Sequence, residues 1–383
     1  MLTIKSSVEL LAYRQELVDT IQSENCTIFI DTNFIAWVFR LNNKAQNELV
    51  RWLLKLSHHE QLVIPAWTVH EYNYHLRKND PKFFLPHKAV GKQLNVNLLE
   101  FDQIAHLMIS DAFATELGYP NREELFLDLS KACKTIQKCV NHLAKNDEIN
   151  KYEVVSFFES LVVKCALNSN IHELSDAAAR EASIRYANRL SPGHNDALNT
   201  DNSTGDLIIW KEILNYCASK DKKKVVIITN DRKSDWVYTP PFVVLPNGKE
   251  ISGTNAMAHS VKLPNPDLIA EFQFYTGSID LHISTIESVI EVLSSSELNN
   301  SAQDFRHLAL AIKLDARTPT DAVVQWFLKN PDKYTEALHG ICRWERCPSE
   351  VDQKAFEAWT VEQMKDIESQ NIQWLDVFCE LFL

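Results

Sequence analysis

The sequence predicts an α/β protein built on a parallel sheet, with a long helical insertion and a C-terminal helical domain. Three observations predict it. The chain opens with strand, helix, strand, helix in that order. The stretch 95–190 then has a helical pattern with few glycines. The most convincing buried strand, Lys224–Thr229 (KVVIIT), comes only after it.

Each element has its own reason. Cys26–Ile30 reads CTIFI, β-branched and aromatic, and ends at Asp31. Leu49, Trp52, Leu53 and Leu56 recur at i, i+3, i+4 and i+7, an apolar helical stripe with Arg51 and Lys55 on the wet side. Leu62–Ile64, closed by Pro65, is a short strand. The helix that follows, from about Trp67 to Lys78, stops at the Asp80-Pro81 step. Turn residues return at Ser191-Pro192-Gly193, and Asp206–Tyr216 is helical again. Phe242–Leu245 and Glu250-Ile251 flank Pro246-Asn247-Gly248 as a hairpin. Pro266 starts a helix over 266–272, and Leu281–Ser284 is a last short strand.

A length of 383 residues predicts two or three domains. The boundaries read as 1–298, with the insertion at about 95–190, and 299–383, for which no activity is assigned. The first nine residues hold one lysine and no apolar core, so no secretory leader is expected. No apolar run approaches the roughly 20 residues that cross a bilayer. The 8 cysteines form no CxxC, which favours reduced thiols in a cytoplasmic protein over a disulfide scaffold or zinc site. The formal charge of −12 excludes a general nucleic-acid coat. It leaves room for an enzyme that meets nucleic acid at a local basic rim beside a metal.

Four carboxylates stand where α/β sheets build sites. Asp31 ends the first strand, and Asp231 follows the best one. Glu71 lies in the helix after the second strand, and Asp206 opens a later helix. Ligands of open parallel sheets bind beyond the carboxyl ends of the strands, so Asp31 and Asp231 share an edge by topology. Converging carboxylates repel unless a cation lies between them. Oxygen donors suit Mg2+ or Mn2+, which polarise phosphodiesters and activate water. The bland alternatives are a turn-former at Asp31, a solvated helix acid at Glu71 and a first-turn acid at Asp206. Thr32 and Asn33 either cap the next helix or orient Asp31. Asp235 is either a fifth ligand or a surface acid, and Asp196 in PGHND is a weaker candidate. His70 and His75 are five apart, so HExxH chemistry fails. Walker, GxGxxG and GxSxG motifs are absent.

With these strings read, the chain resembles a PIN-like domain, in particular a bacterial branch with a long helical insertion. IFIDTNF, VHEYNYH, SPGHND, STGDLIIWKEIL, VVIITNDRKSDW and PNPDLIAEF carry the resemblance over about residues 20–295. It implies a three-layer α/β/α sandwich and an acidic Mg2+ or Mn2+ site that hydrolyses phosphodiesters, usually of RNA, leaving 5′-phosphate and 3′-hydroxyl ends. Asp31, Glu71, Asp206 and Asp231 match the family's acids, and Asn33 matches the polar residue supporting the first. Thr229 lies in the family's threonine strand. Asn230 stands where many relatives of this branch have a second aspartate. Arg232, Lys233 and Arg189, with Arg180, Arg185 and the run Lys222–Lys224, are expected along a substrate path. The insertion is expected to act as a lid. A toxin-like or phage-defence setting follows, restrained by a regulatory protein partner or homo-oligomeric assembly. DNA, branched or flapped, is the alternative substrate, and a non-catalytic interaction module the alternative role.

Overall fold

The structure, a computed structural model, describes residues 4–84, 87–196, 202–230, 233–254, 261–296 and 298–315. In chain order it begins with β1 (Ser7–Glu9), α1 (Leu10–Gln22), β2 (Cys26–Ile30), α2 (Thr32–Val38), α3 (Asn43–His58), β3 (Leu62–Val63) and α4 (Ala66–Lys78). The helical stretch holds α5 (Pro81–Phe84), α6 (His87–Met108), α7 (Asp111–Glu116), α8 (Arg122–Cys165) and α9 (Ile171–Ala187). Then come α10 (Gly205–Ser219), β4 (Lys224–Ile228), β5 (Val237–Tyr238), β6 (Phe242–Val244), β7 (Glu250–Ser252) and β8 (Leu263–Pro264). The described chain closes with α11 (Pro266–Thr276), β9 (Asp280–Ser284), α12 (Ile286–Leu293) and α13 (Arg306–Asp315).

The central sheet runs β3-β2-β4-β9 and every pairing is parallel. Its strands are buried on both faces, which is why CTIFI and KVVII read as continuous apolar runs rather than alternating ones. Ile28, Ile30, Val226 and Ile228 point into one core with α1, α2, α3, α12 and the end of α8. Phe29, Val225, Ile227, Leu281 and Ile283 point into the other, with α10 and α11. The three-layer α/β/α sandwich is therefore present, and the predicted stripe Leu49, Trp52, Leu53 and Leu56 lies in the first core.

Several features differ from the sequence reading. The residues before Cys26 supply β1, which pairs parallel with β6, and α1. β6 and β7 are the expected hairpin, but β1 extends it to three strands. β5 and β8 are two-residue strands, too short for any periodicity to mark. The helical stretch begins with α5 and α6, earlier than 95. α8 is 44 residues long, about 66 Å at 1.5 Å per residue. Its last turns bury Val154, Phe158 and Leu161 in the main core. Its start lies beside α6, where Phe126 stacks on His106 at 4.3 Å. Among the described residues no helix is long and apolar enough to cross a membrane.

The described part of the 299–383 segment belongs to the same core as the sheet. Phe305 packs edge-on against Trp52 at 6.3 Å, and Leu308 is fully buried. The Glu48 carboxylate accepts the Leu308 N–H at 2.9 Å and pairs with His307 at 2.6 Å. The rest of that segment, with Trp326, Trp344, Trp359 and Trp374 among its expected apolar residues, lies outside the described residues. Leu308→Ala should cost about 2–5 kcal/mol, as for a buried core leucine. A thermal midpoint equal to that of the wild type would show that α13 is dispensable to the core.

Candidate active site

Ile30 and Ile228 are register partners in neighbouring strands, so the chain leaves β2 and β4 at the same level. Asp31 comes next on one side and Thr229 on the other. The Asp31 N–H donates to the Ile228 carbonyl at 3.2 Å, prolonging the ladder by one bond. Asp31 then caps α2, its Oδ1 accepting the Thr32 N–H at 2.6 Å. Its Oδ2 accepts the buried Thr229 hydroxyl at 2.8 Å and the Asn33 amide at 3.2 Å. Asp31 itself, and not Thr32 or Asn33, caps α2, while Thr32 and Asn33 both donate to its carboxylate and fix its direction.

Glu71 reaches the same place from α4. Its Oε2 accepts the Thr32 hydroxyl at 2.5 Å. Its Oε1 accepts the Trp67 indole N–H at 3.0 Å and the Asn202 amide at 2.6 Å. Trp67 and Glu71 are i and i+4 on one helix face, a spacing visible in the sequence. Nothing in the sequence marks Asn202. It is placed by Gly205, where any Cβ would lie 2.5–2.8 Å from the Asn202 side chain.

Asp206 follows Gly205 in the first turn of α10. Its Oδ2 accepts the Trp236 indole N–H at 3.0 Å and Lys233 Nζ at 3.2 Å. Lys233 is thus tethered beside the site by an acid. A continuous path of contacts runs from Thr229 through Asp31, Thr32, Glu71 and Asn202 to the start of α10.

Asp235 is fully buried, so it is not a surface acid. Its carboxylate accepts the N–H groups of Gly193 (2.9 Å) and Asn195 (3.2 Å) and the Asn195 side-chain amide (2.9 Å). It clasps the SPGHND loop against the segment bearing Lys233 and Trp236. The Asn230 side chain turns the other way, toward the Ile286 N–H at the start of α12 (3.4 Å). Arg189 is exposed, in a left-handed conformation with φ 55°. Asp231, Arg232 and the Asp196 side chain lie outside the described residues.

Three basic residues do not sit where a substrate path needs them. Arg185 forms a two-pronged pair with Glu271 at 2.9 and 2.8 Å, and the Trp210 indole shares that carboxylate at 2.8 Å. Burial opposes the charge on Glu271, but these bonds outweigh it and hold the carboxyl below its ordinary value. Lys223 and Lys224 pair with Asp221 and Asp280 at the amino end of β4. The five-residue strand puts them roughly 15 Å from the carboxyl edge where Asp31 and Thr229 meet.

Glu212, unmarked in the sequence reading, supports the whole arrangement. Pro65 has no side chain to cap α4, and Glu212 of α10 supplies the cap. Its carboxylate accepts the N–H groups of Ala66 at 2.8 Å and Trp67 at 3.3 Å. It is 1% exposed. Burial raises its pKa, and the bonds from Ala66, Ser169 and Trp67 only partly offset this. Burial pushes the Cys26 and Cys217 thiols up to about 12, away from the nucleophilic thiolate.

The carboxylate oxygens of Asp31 and Glu71, linked through Thr32 by its N–H on the first and its hydroxyl on the second, are of the type that fits a hard divalent ion. Among the described residues no three His, Cys, Asp or Glu side chains converge to hold an ion by themselves. A family model described as a PIN like domain matches residues 27–242, which include Asp31, Glu71, Asp206 and Asp235. No curated protein and no solved structure matches the chain.

Glu212→Ala should cost about 1–3 kcal/mol, because two backbone N–H groups at a buried helix start lose their acceptor. A pH series tests the carboxyl itself. A group bound more tightly to its proton in the folded chain stabilises at low pH, and that contribution fades as pH rises from 4.5 through the raised native value. The thermal midpoint of the wild type should therefore fall relative to that of Glu212→Gln between about pH 4 and pH 7. A rise over that interval would contradict the assigned cause.

Proposed function

Because the chain belongs to the PIN-like domain family, a family of nuclease type, we propose that it is a metal-dependent endoribonuclease using Mg2+ or Mn2+ held by Asp31, Glu71, Asp206 and Asp231. The observation that carries this reading is the Thr32 bridge. It joins the aspartate after β2 to a glutamate on α4, while Thr229, after β4, holds the same aspartate. Acids distant in the chain are drawn to the switch point of the sheet, between β2 and β4, where α/β folds place ligands.

A divalent ion bound there supplies polarisation of the phosphate and a water of lowered pKa. The residues of the chain do the rest. The hydrogen bonds from Thr32, Asn33 and Thr229 fix the direction of the Asp31 carboxylate, and those from Thr32, Trp67 and Asn202 fix Glu71. Lys233, held at Asp206, offers an ammonium to a phosphate oxygen, the role this reading also gives to Arg189 and Arg232. An acid-lined centre with a few nearby cations suits an acidic enzyme that grips its substrate at one place only.

Matched RNA and DNA strands incubated with Mn2+ test the proposal, with cutting of RNA expected. Asp31→Asn should lower the rate at least about 100-fold, as loss of an essential charge-stabilising group does. Thr229→Val should lower it about 10- to 100-fold, as for an orienting neighbour. Cleavage insensitive to chelation or to Asp31→Asn would overturn the mechanism. Preferred cutting of DNA would transfer it to the other substrate. A wild-type chain that binds no divalent ion and cuts neither strand would leave an interaction module.

A further inference from the structure

Beside the carboxylates, α4 presents a second face. Ala66, Val69, His70 and Asn73 follow one another at i, i+3, i+4 and i+7. With Leu167 and Ser169 across from them they line a cleft of about 270 Å3. The wall toward the active site is aromatic. The His70 ring stacks on Trp67 at 4.9 Å with 27° between the planes, and the Trp67 indole N–H is the donor that holds Glu71. The stacked rings of His70 and Trp67 therefore link the cleft to a site carboxylate.

The lining narrows what fits. No Asp, Glu, Lys or Arg side chain lines the cleft, so neither a metal ion nor a phosphate group is matched. Most of the wall is aliphatic, while His70, Asn73 and Ser169 add polar groups to it. An uncharged planar ring with apolar faces and a hydrogen-bonding rim is complementary to that surface. The volume lies just below the usual range of ligand pockets, suited to a single ring system. We propose that this cleft is a subsite for one nucleobase of the strand whose phosphate lies at Asp31 and Glu71, with His70 as the stacking platform. The subsite rests on the nuclease reading above and adds the element that grips a base rather than the backbone.

The test uses the full chain carrying Asp31→Asn, so that bound strands stay intact. A fluorescently labelled octaadenylate and an abasic octamer of the same backbone are titrated onto it and followed by anisotropy. The octaadenylate should bind at least about 5-fold tighter, the margin that one stacked base gives. His70→Ala should remove that margin, His70→Phe should keep it, and Val69→Trp, which fills the cleft from the helix side, should remove it too. Affinity for the abasic octamer should stay level in all three, and thermal midpoints report that each variant is folded. A margin that survives both His70→Ala and Val69→Trp overturns the subsite, which is also the result if the cleft takes an aromatic side chain of a protein. An equal loss on both octamers overturns it as well. A wild-type chain that cuts no nucleic acid and binds neither octamer removes the nuclease reading and the subsite together. One that cuts RNA while the margin survives overturns the subsite alone.

Discussion

The parallel register between β2 and β4 is the constraint on which the candidate site depends. Ile30 opposite Ile228 sets Asp31 beside Thr229, and one hydrogen bond across 198 residues of chain follows from it. A slip of one residue would turn Ile28 and Ile30 into the opposite core and carry Phe29 the other way. Both faces are filled by close-packed side chains, so neither core can accept that exchange. The position of the aspartate is thus secured by apolar packing far larger than any polar contact at the site.

Around this frame the protein uses two kinds of carboxylate. Asp235 and Glu212 are buried, and backbone N–H groups satisfy them. Each closes a loop or helix end that would otherwise leave donors unmade, which is where a buried acid is worth its desolvation. Asp31, Glu71 and Asp206 are only half-buried, and apart from the Thr32 N–H on Asp31 the bonds described above come from side-chain hydroxyl, amide, indole and ammonium groups. Such donors can move by rotation of a side chain, so these carboxylates can exchange partners without disturbing the backbone. The contrast separates acids that build the scaffold from acids placed to meet a ligand.

α10 links the two sets. Asp206 lies in its first turn, and Glu212 faces the start of α4 from nearly two turns further on. Trp210, between them, donates to the Glu271 carboxylate that Arg185 grips. One helix therefore fixes the position of the helix that carries Glu71 while presenting an acid of its own. A shift of α10 would be felt at both acids.

The sequence by itself determined the four strands of the central sheet, the apolar stripe of α3 and the acids at strand and helix ends. Those features are written in local patterns: apolar runs in CTIFI and KVVII, the stripe on α3, Pro266 at a helix start. The identity of Asp31 as a strand-ending acid needed nothing beyond its neighbours. Only the tertiary structure decided which groups touch. Asn202 meets Glu71 across 131 residues, Glu212 caps a helix it is not part of, and Arg185 turns inward to Glu271 instead of outward to solvent. Spacing along the chain carries no information about such pairs, because their partners are set by how layers stack. The same reason put Lys223 and Lys224 out of reach: they are close to Thr229 in sequence, but an extended strand carries them to the far edge of the sheet.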